Sequence, residues 1–350
     1  MLFGSTVFRL AAMTLGVVAT AVFFSTSAIA KEPVKLAFQL DWRIEGPTAP
    51  FFLADAKGYF KEEGLDMTFD SGSGSGNTIN RVAAGAYDLG FGDVNALVEY
   101  LANNPNSPRL RAVFMTYDAS PAAVIALKSS GIRTPSDLDG KTLAAPSFDG
   151  ARRAWPMFAE ANGLSADAVS WQTVDPTLRE TLLIRGDVDA ISGYVFSSII
   201  NLEARGVRRE DLVVMPYPEY GANLYGNAII VSDRLIESNP EAIAGFLRAY
   251  TRGLRDVISS PDASIEFVRQ RDSLIDVATE QSRLHLTIES TIDTPATREN
   301  GIGDVNMERL QRTIDQVALA YELPSGNVPE AEAVFDSSFL PEANLRRIFD

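Results

Sequence analysis

Ala84-Gly85-Ala86-Tyr87-Asp88-Leu89-Gly90-Phe91-Gly92-Asp93 is answered later in the chain by Arg185-Gly186-Asp187-Val188-Asp189-Ala190-Ile191-Ser192-Gly193-Tyr194. Gly85, Asp88 and Gly92 meet Gly186, Asp189 and Gly193 at one constant offset. In each copy an amphipathic stretch, Ile79 to Ala84 and Leu178 to Arg185, runs into a glycine. A tight turn follows, then a short apolar strand, then the start of a second helix. The repeated order predicts an α/β chain of two similar lobes. Open α/β sheets bind small molecules at the carboxyl ends of their strands, so the cleft between two such lobes is the expected site.

Outward from the echo, strands and helices alternate. Val34 to Phe38 reads as a buried strand, Asp41-Trp42-Arg43 as the loop after it, and Ala49 to Lys57 as an apolar helix stopped by Gly58. Leu65 to Phe69, Leu89 to Phe91 and Arg111 to Met115 complete the first set of strands. The turn-rich segment Tyr117-Asp118-Ala119-Ser120-Pro121 then carries the chain to a second set at Ala122 to Leu127, Thr142 to Ala145, Val169 to Thr173 and Asp189 to Ser192. A second turn-rich segment from Pro216 to Gly221 leads to Ala228 to Val231, a strand expected to return to the first lobe. Two crossings make the lobes discontinuous: residues 31–118 with 226–350 form one, and 119–225 the other. From Asp233 onward the pattern is helical, with Pro240 in the first turn of a long amphipathic helix, and these helices are expected to pack outside the first lobe.

Residues 1–30 read as a cleavable secretory signal. Arg9 precedes an apolar run from Leu10 to Phe24, and Ser27-Ala28-Ile29-Ala30 supplies a cleavage site. Cysteine is absent, which removes disulfides, thiolate chemistry and a lipid-bearing cysteine. The expectation is a free periplasmic protein. A formal net charge of −15 over 350 residues and a pI near 4.6 argue against a nucleic-acid partner. The composition, 46% hydrophobic and 22% charged, is globular and sufficient for two modest cores.

The candidate site residues gather at predicted strand ends. The loop from Ser71 to Asn77, with Ser73 and Ser75, precedes a helix, so its N–H groups and hydroxyls can converge on ligand oxygens. It lacks the lysine of a nucleotide-binding loop. Its counterpart in the second lobe is Ser147-Phe148-Asp149-Gly150-Ala151-Arg152, where Asp149 is either a helix cap or a ligand contact and Arg152 or Arg153 can pair with an anion. The aromatic residues Trp42, Phe51, Tyr117, Phe148, Tyr194, Tyr220 and Tyr225 fall at the same ends and can clamp a planar ring. Trp42, Tyr117 and Tyr194 are read in turns. Asp41, Asp93 and Asp118 beside them can accept hydrogen bonds from a ligand, with Asp93 equally suited to cap the helix after it. His285, the only histidine, lies in a helical stretch away from these loops, so neither a catalytic triad nor a zinc site can be assembled around it. Asp41 with Asp93 is the one carboxylate pair suited to acid–base work. Neither enzyme activity nor a cofactor is expected.

Leu40-Asp41-Trp42, the segment from Phe51 to Asp66, Gly85-Ala86-Tyr87-Asp88 and the run from Tyr220 to Asn227 resemble one transport family. It is the substrate-binding family of ABC importers that includes binders of thiamine pyrimidine precursors, riboflavin, alkanesulfonates, taurine and nitrate. The resemblance implies a type II periplasmic-binding fold whose two α/β lobes close over a small molecule and present it to a membrane permease with a cytoplasmic ATPase. It implies closure about the two crossings, and a monomer is expected. In pyrimidine-type members a tryptophan after the first strand helps sandwich the ring, and Trp42 matches that place. Asp41-Trp42 and the tyrosines near the second crossing look more like the pyrimidine and flavin branch. The pure Ser-Gly loop keeps a small organic or inorganic anion open as the ligand. A related eukaryotic group makes the thiamine pyrimidine with a histidine and a cysteine-rich motif, from which this cysteine-free chain departs.

Overall fold

The computed structural model describes residues 1, 2, 4 and 32–349. The predicted signal segment and its cleavage site lie almost wholly outside the described residues. Pro33–Asp350 forms one compact unit.

Among the described residues, ten strands build two five-stranded sheets. β1 (Val34–Gln39), β2 (Leu65–Asp70), β3 (Leu89–Asp93), β4 (Leu110–Met115) and β10 (Asn227–Ser232) make the first, in the order β2-β1-β3-β10-β4. β5 (Ala122–Leu127), β6 (Thr142–Ala145), β7 (Ser170–Thr173), β8 (Ala190–Tyr194) and β9 (Leu212–Pro216) make the second, in the order β7-β6-β8-β5-β9. Each sheet joins three parallel strands to a strand that runs the other way, β10 in the first and β5 in the second. The chain therefore crosses between β4 and β5 and again between β9 and β10. At the crossings Thr116 and Tyr117 N–H both donate to Asn227 O at 3.0 Å, and Gly226 N–H donates to Tyr117 O at 2.9 Å, so the connectors lie side by side.

The echoed residues do the same work in both sheets. Gly85 (φ +75°) and Gly186 (φ +73°) end their helices in the left-handed region, where a residue with a Cβ is strained. Asp88 Oδ2 accepts from Ala37 N–H at 2.9 Å, and Asp189 Oδ2 accepts from Thr142 N–H at 2.8 Å. In each case the aspartate's own N–H donates back to the same residue's carbonyl at 2.9 Å. These carboxylates splice the incoming strand to its parallel neighbour. Asp189→Ala leaves the Thr142 N–H without its acceptor and is expected to cost about 1–3 kcal/mol, read as a lower urea midpoint. An unchanged midpoint would show that the aspartate is not a structural splice.

The helices that matter for the site are α1 (Ala49–Ala56), α2 (Ser75–Ala83), α3 (Val94–Asn103), α4 (Gly150–Arg153), α5 (Arg179–Arg185), α6 (Val195–Ala204), α7 (Pro240–Ser259), α8 (Val277–Thr287) and α9 (Met307–Ala320). α1 carries Phe51 and Phe52 into a core where Phe51 lies 4.9 Å from Phe38 and 4.7 Å from Tyr250 of α7. Gly253 lets α7 approach: a Cβ there would stand 2.5 Å from Pro50 O. The sequence placed all C-terminal helices outside the first lobe, and α7 obeys. α8 and α9 depart from that expectation because each also touches the second lobe, α8 against α6 and α9 against the helix Trp155–Ala161. The physical reason at α8 is Arg283, only 2% exposed, whose guanidinium must find acceptors. It donates to Phe196 O at 3.1 Å, Ser197 O at 3.2 Å and Asn201 Oδ1 at 3.0 Å on α6, and to Glu280 on its own helix.

Candidate ligand-binding site

The carboxyl ends of β1, β3, β6 and β8 face a narrow cleft lined by residues of both lobes. As it stands its interior admits only about two water molecules, so a larger ligand requires the lobes to part. Trp42 follows β1, Phe51 sits on α1, Phe91 on β3, Tyr117 in the first crossing, Tyr194 ends β8 and Phe196 opens α6. The rings link edge to face, with centroids 5.6 Å apart for Phe51 and Phe91, 5.3 Å for Phe91 and Tyr117, 5.9 Å for Tyr117 and Phe196 and 5.6 Å for Phe196 and Tyr194. The result is an aromatic belt continuous across both lobes. Trp42 is half-buried beside it, and its Nε1 has no hydrogen-bond partner among the described residues.

Lobe-to-lobe contacts close the cleft. Asp93 and Tyr194, the residues where the two echoed stretches differ at their last position, come together here, with Tyr194 Oη 3.4 Å from Asp93 Oδ2. Tyr194 Oη also donates to Asn227 Oδ1 at 2.8 Å, and Asn227 Nδ2 donates to Asp41 Oδ2 at 2.7 Å. Ser197 Oγ donates to Glu45 Oε2 at 2.9 Å, and Arg153 Nε donates to Glu99 Oε2 at 2.9 Å. Gly74, with φ +134°, packs so closely on Phe148 that a Cβ would stand 2.1 Å from its carbonyl oxygen.

Burial governs the acids of the cleft. It pushes the Asp41 carboxyl up to about 7, more than the Asn227 hydrogen bond can offset, with Glu45 and Asp149 adding to the rise. Burial likewise raises Asp93 to about 6 against its bonds from Asn95 and Tyr194, and raises Asp149 against the pull of Arg179. Burial opposes the charge on Arg179, but Glu180 and Asp149 outweigh it and keep the guanidinium protonated. Arg179 donates to Glu180 Oε1 at 2.8 Å and to Asp149 Oδ2 at 3.3 Å, and its guanidinium lies 5.7 Å from the Trp42 ring. Gly193 makes room for it, since a Cβ there would meet Arg179 Nη1 at 2.5 Å.

Of the residues singled out in the sequence, Asp41, Trp42, Phe51, Ser75, Tyr117, Asp149 and Tyr194 line the cleft. Asp93 stands behind Tyr194 and caps α3, accepting from Asn95 N–H at 2.8 Å. Asp149 both caps α4, accepting from Arg152 N–H at 3.0 Å, and faces the cleft. Tyr194 belongs to β8 instead of a turn. The others are elsewhere, Phe148 among them as an exposed side chain. Ser73 is exposed and accepts from Asn77 Nδ2, and Ser147 is exposed. Asp118 is held by Arg309 Nη1 at 3.1 Å and Thr294 Oγ1 at 2.6 Å. Arg152 donates to Ala145 O and Thr173 Oγ1 and lies 4.7 Å over Trp171. Tyr220 packs 6.0 Å from Phe158, and Tyr225 is covered by Arg309 at 3.9 Å and accepts from Asn306 N–H. The Ser-Gly loop also differs from expectation. Gly72 and Gly74 N–H donate at 2.9 and 2.7 Å to Trp42 O and Asp41 O, so its glycines seat the loop under Asp41-Trp42 instead of cradling ligand oxygens.

Sequence reasoning passed over Glu45, Arg179, Phe196, Ser197 and Asn227. One signal was present at Arg179: it opens α5, where a cation meets the positive end of the helix and needs acids to hold it.

Two α/β lobes joined by two crossings, with a cleft at their strand ends, define the type II periplasmic-binding fold. A family model described as NMT1/THI5 like matches residues 47–264, and the chain belongs to that family. It is 28% identical over 224 residues to the riboflavin-binding protein RibY of Chloroflexus aurantiacus, a match covering 63% of this chain and 62% of that relative's length. It is 26% identical over 241 residues to the 4-amino-5-hydroxymethyl-2-methylpyrimidine phosphate synthase of Aspergillus parasiticus, covering 66% and 69%. The formylaminopyrimidine-binding protein of Halalkalibacterium halodurans is 25% identical over 230 residues, covering 65% and 67%. The alkanesulfonate-binding protein SsuA from Xanthomonas axonopodis pv. citri, bound to MOPS, superposes with a TM-score of 0.68 at 17% identity, covering 87% of this chain and 100% of that one.

Proposed function

We propose that this chain is the solute-binding component of an ABC importer that captures a small planar nitrogen heterocycle, of thiamine-pyrimidine or flavin type, in the periplasm and delivers it to a membrane permease. The observation that carries the reading is the aromatic belt from Phe51 to Tyr194, with Trp42 beside it, at the strand ends of both lobes. Such a surface offers stacking area, and the two guanidiniums that line it, Arg43 and Arg179, already pair with Glu45 and with Asp149 and Glu180. The lobes are 31–118 with 226–350 and 119–225, the leader is removed on export, and the mature protein acts as a monomer. Binding without turnover fits the single histidine: His285 is exposed, bonded to Asp262 at 2.8 Å, and is not a cleft residue.

A thermal-shift panel on protein refolded free of ligand tests this. Riboflavin, formylaminopyrimidine and 4-amino-5-hydroxymethyl-2-methylpyrimidine are set against alkanesulfonates, taurine, nitrate and dicarboxylates. A ligand at a hundred times its Kd adds about 2.7 kcal/mol to the native state and raises Tm clearly. Stabilisation by heterocycles is expected. Stabilisation by the anions alone would overturn the reading, and turnover of a stabilising heterocycle would move the chain to the synthase side of its family.

A further inference from the structure

We infer that the ligand carries positive charge, set against Asp41 inside the aromatic belt; this rests on the cleft being the ligand site. Three carboxylates line the cleft, Asp41, Glu45 and Asp149, against two guanidiniums, Arg43 and Arg179. Directly behind them stand the acids Asp93, Glu180 and Glu280 and the cation Arg283. The guanidiniums already pair with acids of the protein, and of the two that line the cleft Arg43 keeps its buried Nε without a hydrogen-bond partner among the described residues. Arg179 is held by Asp149 and Glu180, Arg43 by Glu45 at 2.9 Å, and Arg283 by Glu280, with Glu45 at 3.6 Å.

Asp41 differs from the other lining acids. No arginine or lysine pairs with it among the described residues, and its side-chain donor is the neutral Asn227 amide, itself held by Tyr194 from the opposite lobe. A carboxylate among aromatic walls without a cation is costly, so the free protein offsets it by holding a proton near neutrality. An ammonium or protonated ring nitrogen does the same job better. It pairs with Asp41 and gains cation–π attraction from the faces around it, the arrangement used to recognise organic cations. An anionic ligand would instead add to an acid excess.

An isosteric charge series reads this directly: benzylamine, benzyl alcohol and benzoate, titrated by ligand-observed NMR and thermal shift against wild type, Asp41→Asn and Trp42→Ala. Benzylamine is expected to bind at least tenfold more tightly than benzyl alcohol, with benzoate weakest. Asp41→Asn removes that advantage, bringing benzylamine down to the affinity of benzyl alcohol in the same variant. Between pH 8 and pH 5 the wild-type advantage falls as Asp41 takes up its proton, in the field of Glu45, Asp149, Tyr117 and Tyr194. That arm needs no variant. Equal binding of benzylamine and benzyl alcohol, both lost in Trp42→Ala, would overturn the charge assignment and leave the cleft standing. Benzylamine binding untouched by both Asp41→Asn and Trp42→Ala would overturn the assignment and the cleft reading together.

Discussion

Trp42→Ala is expected to weaken binding of the stabilising heterocycle thirty- to a hundredfold, about 2–3 kcal/mol, while lowering Tm little. The affinity term is large because Trp42 is the one big aromatic surface in the cleft that the belt does not already cover, and a truncated aromatic anchor in a desolvated pocket costs about that much. The stability term is small because the ring is half-buried and its Nε1 satisfies no protein partner, so its removal leaves no orphaned group. Isothermal titration beside a melting curve separates the two. A variant that binds as tightly as wild type would show that the ring lies elsewhere in the cleft.

Gly74→Val should abolish closure without unfolding the protein. The backbone at φ +134° disfavours any L side chain by about 1–3 kcal/mol, and the new Cβ would run into Phe148 O across the lobe boundary at 2.1 Å. The first effect lowers Tm by several degrees. The second holds the lobes apart, which breaks the Tyr194 to Asn227 bond and the pairing of Ser197 with Glu45, and affinity falls by more than thirtyfold. Gly140→Ala is the control, since Gly140 shares a left-handed φ of +74° but has open space where its Cβ would go. Solution X-ray scattering should show ligand-induced compaction in wild type and Gly140→Ala and none in Gly74→Val. Compaction in all three would remove the Gly74–Phe148 contact from the closing mechanism.

The scaffold was readable from sequence because its rules are local. A glycine ending a helix and an aspartate bonding a neighbouring strand's N–H recur at fixed spacing, and Gly85 with Asp88 and Gly186 with Asp189 carry both sheets. The cleft was half readable. Asp41, Trp42, Tyr117 and Asp149 stand at strand ends or crossings, where the topology alone points them at one another. Glu45, Ser197 and Asn227 were not legible, because each owes its place to a partner far along the chain: Glu45 to Ser197, and Asn227 to Tyr194 and Asp41. The same distance effect misplaced Tyr225 and Asp118. Both sit at a crossing as expected, but Arg309 of α9, more than eighty residues onward, claims them, and neither lines the cleft. The Ser-Gly loop was misread for another reason. Its glycines suited a phosphate cradle by composition, and only the fold shows that the carbonyls of Asp41 and Trp42 take those N–H groups.

Fluorescence of Trp42 tests the central claim most directly. The chain has three tryptophans, and Trp155→Phe with Trp171→Phe leaves Trp42 as the sole reporter. Titration with the compound that raises Tm should shift or quench its emission in a saturable way, with the Kd found by calorimetry. A compound that stabilises the protein while leaving Trp42 emission unchanged would contradict an aromatic ligand held on Trp42 in the inter-lobe cleft.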